Sequence, residues 1–137
     1  MDRAKAGFRE FEHTADWQLH VWAPDLTELV EQAARGMYAL SGTRLQAQPH
    51  LEKRFKIQAL DPENLLVRFL DEILYFSQQE RIGFHTFQLA LDGYLLHAQL
   101  DGAPVESIDK EIKAVTYHKL EIRKTGKGLE VDIVFDV

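Results

Sequence analysis

Trp17, Leu19 and Val21 alternate with Gln18, His20 and Trp22, a period of two that predicts a half-buried β-strand ending at Ala23-Pro24. Asp25 then stands three residues before Glu28, where its carboxylate can cap the free N–H groups of a helix start. Leu26, Leu29, Val30, Ala33, Ala34, Met37 and Leu40 recur at intervals of three and four, so the helix carries one apolar stripe, and Ser41-Gly42 supplies a left-handed stop. Gly36 inside that helix costs about 1 kcal/mol relative to alanine. The polar stretch from Thr43 to Leu51 reads as a loop or the edge of an insertion, and Phe55, Ile57 and Ala59 suggest the next strand. Asp61-Pro62 opens a second helix, because aspartate caps it and proline gives up an N–H that had no partner. Its buried stripe is Leu66, Phe69, Leu70, Ile73 and Leu74.

After Gly83 the period returns to two, with Phe87, Leu89 and Leu91 leading to Asp92-Gly93 and then Leu96, Ala98 and Leu100, the signature of a hairpin. A second Asp101-Gly102 is expected to end that strand. The last hairpin runs through Leu120 and Ile122, turns at Thr125-Gly126-Lys127-Gly128 and returns with Leu129, Val131, Ile133 and Phe135 facing inward. Two amphipathic helices packed on a mostly antiparallel sheet make an α+β domain. At 137 residues the whole chain, 1–137, is expected to form a single domain.

Composition narrows the chemistry. Apolar residues make up 45% and charged residues 28%, ordinary globular usage that excludes disorder as the dominant state. No apolar run approaches the roughly 20 residues of a membrane-spanning helix and no leader-like segment opens the chain, so a cytoplasmic protein without membrane contact is expected. Cysteine is missing, which removes disulfides, thiolate nucleophiles and cysteine-held metals. The net charge of −6 lacks the electrostatic footprint of an independent nucleic-acid binder. Ser41, Ser77 and Ser107 sit in no nucleophile elbow, and no phosphate-cradling glycine pattern occurs.

Three polar clusters remain. Glu12-His13-Thr14-Ala15-Asp16 gathers oxygen and nitrogen donors ahead of the first predicted strand, as a ligand set or as an Asx-type turn. Asp136 and Val137 place two anionic groups on adjacent residues, read either as oxygen ligands for a hard cation or as a frayed, solvated end. Lys110, Lys113, Lys119, Arg123, Lys124 and Lys127 against Glu111 and Glu121 form a basic stretch on an acidic chain, either a solvated hairpin face or a docking and phosphate-steering surface.

The run Phe11-Glu12-His13-Thr14-Ala15-Asp16, the helical Ala33-Ala34-Arg35-Gly36-Met37, the segments Asn64-Leu65-Leu66-Val67 and Asp71-Glu72-Ile73-Leu74-Tyr75, and Ile112-Lys113-Ala114-Val115-Thr116-Tyr117-His118 with the closing Val134-Phe135-Asp136-Val137 resemble the archease family. The resemblance spans nearly the whole chain. It implies a non-catalytic protein cofactor of the GTP-dependent tRNA-splicing RNA ligase, promoting guanylylation and repeated turnover of that enzyme. It also implies a divalent-cation site, most often calcium, with manganese and magnesium as the other oxygen-seeking ions, formed here by Asp16, Asp136 and Val137. His13, Lys113 and His118 fall within the signature motifs and are candidates for a functional surface. Asp71 departs from the Asn-Glu pair common in relatives. The alternative role proposed on fold grounds is a chaperone-like modulator of RNA-modification enzymes.

Overall fold

The computed structural model describes residues 4–12 and 17–137, with nothing described of the side chains of residues 11 and 12. The described elements, in chain order, are β1 (Gly7–Glu12), β2 (Trp17–Ala23), α1 (Leu26–Ser41), β3 (Arg44–Leu45), β4 (Leu51–Gln58), α2 (Pro62–Tyr75), a π-helical turn (Phe76–Glu80), β5 (Ile82–Asp92), β6 (Leu95–Ser107), β7 (Ala114–Val115), β8 (Arg123–Thr125) and β9 (Gly128–Asp136). The expected α+β architecture is present, and the strands divide between two antiparallel sheets. In one, the order is β1-β2-β9-β7, with β8 also paired to β9. In the other, long β6 pairs with β3 and β4 on one side and β5 on the other.

Both helix starts form by the predicted chemistry. The Asp25 carboxylate accepts from the Glu28 N–H at 2.9 Å, and that of Asp61 from the Asn64 N–H at 2.8 Å, with Pro62 following the cap. Gly42 closes α1 at φ 64°, a backbone conformation costly for other residues. One contiguous core joins Leu19 and Val21 of β2, Val131, Ile133 and Phe135 of β9, the α1 stripe and the α2 stripe. Over the second sheet the core turns aromatic: Phe55, Phe69, Phe76, Phe84 and Phe87 form a chain of ring contacts with centroids 5.5–6.5 Å apart.

Two glycines mark close approaches. At Gly36 a Cβ would sit 2.9 Å from Cγ of Phe8 and press on Leu19, so its propensity cost is what lets α1 lie tight on the first sheet. Gly102 overturns the expected strand end at Asp101-Gly102, because β6 runs straight through to Ser107. A Cβ there would collide with the Gly83 carbonyl, so this glycine serves backbone proximity between β5 and β6, beside a bulge at His85. Thr43 to Leu51 is only partly a loop, since Arg44 and Leu45 pair with Ser107 and Val105 of β6. Beyond Tyr75 the chain continues into the π-helical turn, which the apolar spacing did not indicate.

On the outer face of α2, loss of hydration raises the pKa of the exposed Asp71 carboxyl above the ordinary aspartate value. A folded-state pKa above the unfolded one penalises the folded state only where the group ionises, above about pH 4. Asp71→Asn is therefore expected to melt slightly higher than the parent at pH 7, with the difference closing as the pH falls toward 3.5. Circular-dichroism melts at the two pH values check this; an equal gain at both would remove ionisation as the cause.

Candidate functional site

β9 is the element on which the candidate residues converge. Its alternation buries Val131, Ile133 and Phe135, and the next residue, Asp136, is exposed at the strand end, while Val137 packs partly against the core. The end of β9 is held from both sides. Phe135 pairs with Trp17 of β2 on one flank and with Val115 of β7 on the other, and Ala114 faces Asp136. The Lys113 N–H donates to the Asp136 carbonyl at 2.8 Å, and Thr116 donates to the Val134 carbonyl from both its N–H, at 3.1 Å, and its hydroxyl, at 2.9 Å. The strand end is therefore stitched into the sheet rather than frayed.

These bonds use the main-chain oxygens of Val134 and Asp136 and leave the Asp136 carboxylate without an ion pair among the described residues. An exposed carboxylate on a rigid strand end suits a hard cation. His13 and Asp16 lie outside the described residues. Among the described residues, no group of three or more histidines and carboxylates is placed to hold a metal ion.

Lys113 and His118 are both exposed, so both signature residues face outward. The segment from β7 to Ile122 is anchored on the start of α2: the Asn64 amide donates to the Tyr117 hydroxyl at 2.9 Å, and the Ile122 N–H donates to Glu63 at 2.8 Å. Thus the Asp61-Pro62-Glu63-Asn64 helix start also fixes the segment that follows β7. Gln78 of the π-helical turn donates to the Ile112 carbonyl at 3.1 Å, tying the preceding residues as well. No local signal could have revealed these ties, because the partners stand 34 to 59 residues apart in sequence.

The basic stretch does not form one patch. Lys124 lies in β8 and Lys127 in the turn to β9, whereas Lys113 adjoins the far end of β9, about 26 Å away at ~3.3 Å per strand residue. Arg123 is spent on Asp132 at 3.2 Å, and Asp132 also receives His20 at 2.7 Å. Lys110 places its ammonium 5.9 Å from the ring centroid of Trp17, a cation–π contact beside the strand end that sequence reasoning missed. The cations near Asp136 are therefore Lys110 and Lys113, two of the six that the sequence grouped together.

Comparison with known proteins matches residues 8–137 to the Archease protein family (MTH1598/TM1083). Protein archease of Methanosarcina mazei is 30% identical over 139 residues, covering 95% of each chain, and that of Sulfurisphaera tokodaii is 28% identical over 136 residues, covering 95% of this chain and 98% of its own. The solution structure of Methanobacterium thermoautotrophicum protein 1598 superposes with a TM-score of 0.74 at 29% identity, over 96% of this chain and 99% of that one. The crystal structure of a Thermotoga maritima archease, described as a possible chaperone, has the same fold at 22% identity, with a TM-score of 0.70 over 94% and 96% of the two chains.

Proposed function

Because the chain belongs to the archease family, we propose that it acts in the cytoplasm as a non-catalytic activator of the GTP-dependent tRNA-splicing RNA ligase. The observation that carries this reading is the register of the first sheet. Trp17 faces Phe135, and Ala114 faces Asp136, so the residue after the Phe11–Asp16 run, the Ile112–His118 segment and the closing Val134–Val137 segment meet at one strand end. Asp16 and Asp136 are the next residues along the chain from the Trp17–Phe135 pair. Their carboxylates, with the main-chain oxygen of Val137, would hold a hard divalent cation there, calcium by the family pattern and manganese or magnesium by the same oxygen chemistry. A bound cation neutralises adjacent carboxylates that otherwise repel one another.

Around that point the chain's own residues are suited to contact rather than to chemistry. Lys113 and His118 are exposed on a segment clamped by Asn64, Glu63 and Gln78, so a partner meets a rigid surface and little ordering entropy is lost on docking. Among the described residues, no helix is long and apolar enough to cross a membrane.

The test is guanylylation of the ligase with labelled GTP, with and without this protein. Faster labelling and several joined RNAs per ligase are expected, with no label or product when the ligase is omitted. An unchanged ligase rate, alongside improved solubility of an RNA-modifying enzyme, would instead favour the chaperone-like role that the description of the Thermotoga relative suggests.

A further inference from the structure

We propose that the outer edge of β5 is a self-association surface, onto which a second copy of the chain adds its own β5 as an antiparallel strand. This rests on the second sheet alone and is independent of the strand end of β9.

Among the described residues β5 pairs only with β6, so they leave one of its edges open. The hairpin joining the two closes on Asp92 and Leu95 around Gly93-Tyr94, with Gly93 at φ 61°. In such a two-residue turn the closing pair is hydrogen-bonded, and bonding then alternates along the ladder. Asp92–Leu95, Ala90–His97 and Gln88–Gln99 are thus the bonded pairs, and the N–H and C=O groups of Phe87, Leu89 and Leu91 point away from β6. Nearer the start of β5 the edge is occupied: the Phe84 N–H donates to the Tyr38 hydroxyl at 3.1 Å and Arg35 donates to the His85 carbonyl at 3.3 Å. From Phe87 to Leu91, among the described residues, no such bond reaches the outward groups.

The sequence of this edge is equally telling. Edge strands are normally guarded by charge, proline or short length. β4 carries Glu52, Lys53, Arg54 and Lys56, β1 carries Arg9 and Glu10, and β3, β7 and β8 have two or three residues each. β5 has 11 residues, with no lysine, arginine, aspartate, glutamate or proline from Ile82 to Leu91.

A second copy fits because the edge is polar in the sense of direction. Arg81 and His85 lie at its beginning, where Arg35 is already paired with Glu31 at 3.0 Å, and Asp92 lies at its end, so an antiparallel mate brings the anionic end of one copy to the Arg81 end of the other. The register that overlaps the open stretch completely sets Leu89 against Leu89, Phe87 against Leu91, Gln88 against Ala90 and Thr86 against Asp92 of the second copy. The Thr86 hydroxyl, already 2.8 Å from the His85 ring nitrogen, then faces a carboxylate. One strand pair buries less than the ~1,200 Å² of a stable interface, so the dimer is weak, forming at about tens to hundreds of micromolar protein.

Sedimentation equilibrium of the full chain from about 10 to 500 μM measures this range. A monomer–dimer equilibrium is expected. Gln88 and Ala90 are exposed, and the register sets each against the other residue of the mate. Gln88→Lys with Ala90→Lys should therefore weaken the dimer at least about tenfold by opposing like charges, and Gln88→Glu with Ala90→Lys should restore or tighten it. Far-UV circular dichroism confirms that each variant is folded. A wild-type chain that stays monomeric to 500 μM overturns the proposal, whether or not it captures a foreign strand, and so does a dimer indifferent to both double variants.

Discussion

Asp136→Asn is expected to abolish stimulation of the RNA ligase and to weaken calcium and manganese binding at least about tenfold, while changing the melting temperature by no more than ~2 °C. The asymmetry follows from the strand end. The carboxylate is exposed and unpaired among the described residues, so removing its charge takes no partner from the fold. Exposed substitutions of that kind stay within about 0.5 kcal/mol, which is ~2 °C for a chain this size. The amide keeps the shape and the main-chain bond from Lys113, yet a neutral oxygen is a far poorer ligand for a hard cation. Loss of even an outer support of a metal site costs roughly 10–100-fold in affinity, and a direct ligand should cost no less. Asp16→Asn is expected to show both losses. Calorimetric titration of each cation, with guanylylation assays on the same preparations, measures the two effects together. Normal activation by an Asp136→Asn protein that no longer binds metal would separate the cation from the function.

One residue earlier the expectation reverses. Phe135→Ala should destabilise the fold by about 3–5 kcal/mol, because the ring is 1% exposed and its removal leaves a cavity that the surrounding strands and helices cannot close. Against a total stability of ~5–15 kcal/mol for a domain of this kind, that is enough to bring the unfolding transition close to assay temperature. Phe135 also pairs with both Trp17 and Val115, so the cavity opens beneath the point where β2, β7 and β9 are joined. Urea denaturation should show a midpoint lowered in proportion, with the slope unchanged because the surface exposed on unfolding is nearly the same. A midpoint within error of the parent would mean that β9 does not carry the core. Adjacent residues thus divide stability and function between them, since successive side chains of a strand point to opposite faces.

Much of this was legible in order along the chain. Asp25 and Asp61 announce their helices because capping is a contact over three residues, and Asp92-Gly93 announces its hairpin because turn geometry is set by the turn residues themselves. The buried stripes of α1, α2, β2 and β9 follow from periodicity alone. The candidate residues at the strand end stood out as clusters of oxygen groups, and the resemblance of motifs joined Asp16, Asp136 and Val137 into one site. What the sequence could not determine is everything carried by contacts distant along the chain. Asp101-Gly102 has the composition of a turn, and only the nearness of the Gly83 carbonyl makes that glycine part of a continuous strand. β1 pairs along β2 although the adjacent Arg9 and Glu10 break any period of two, because an edge strand is held by main-chain bonds to its neighbour whatever its side chains. The division into two sheets, the separation of Lys124 and Lys127 from Lys113, and the open edge of β5 were likewise decided by pairing. Local propensity is written over a few neighbouring residues, whereas strand partners are selected by which apolar faces can be buried together, and that choice exists only once the whole chain has packed.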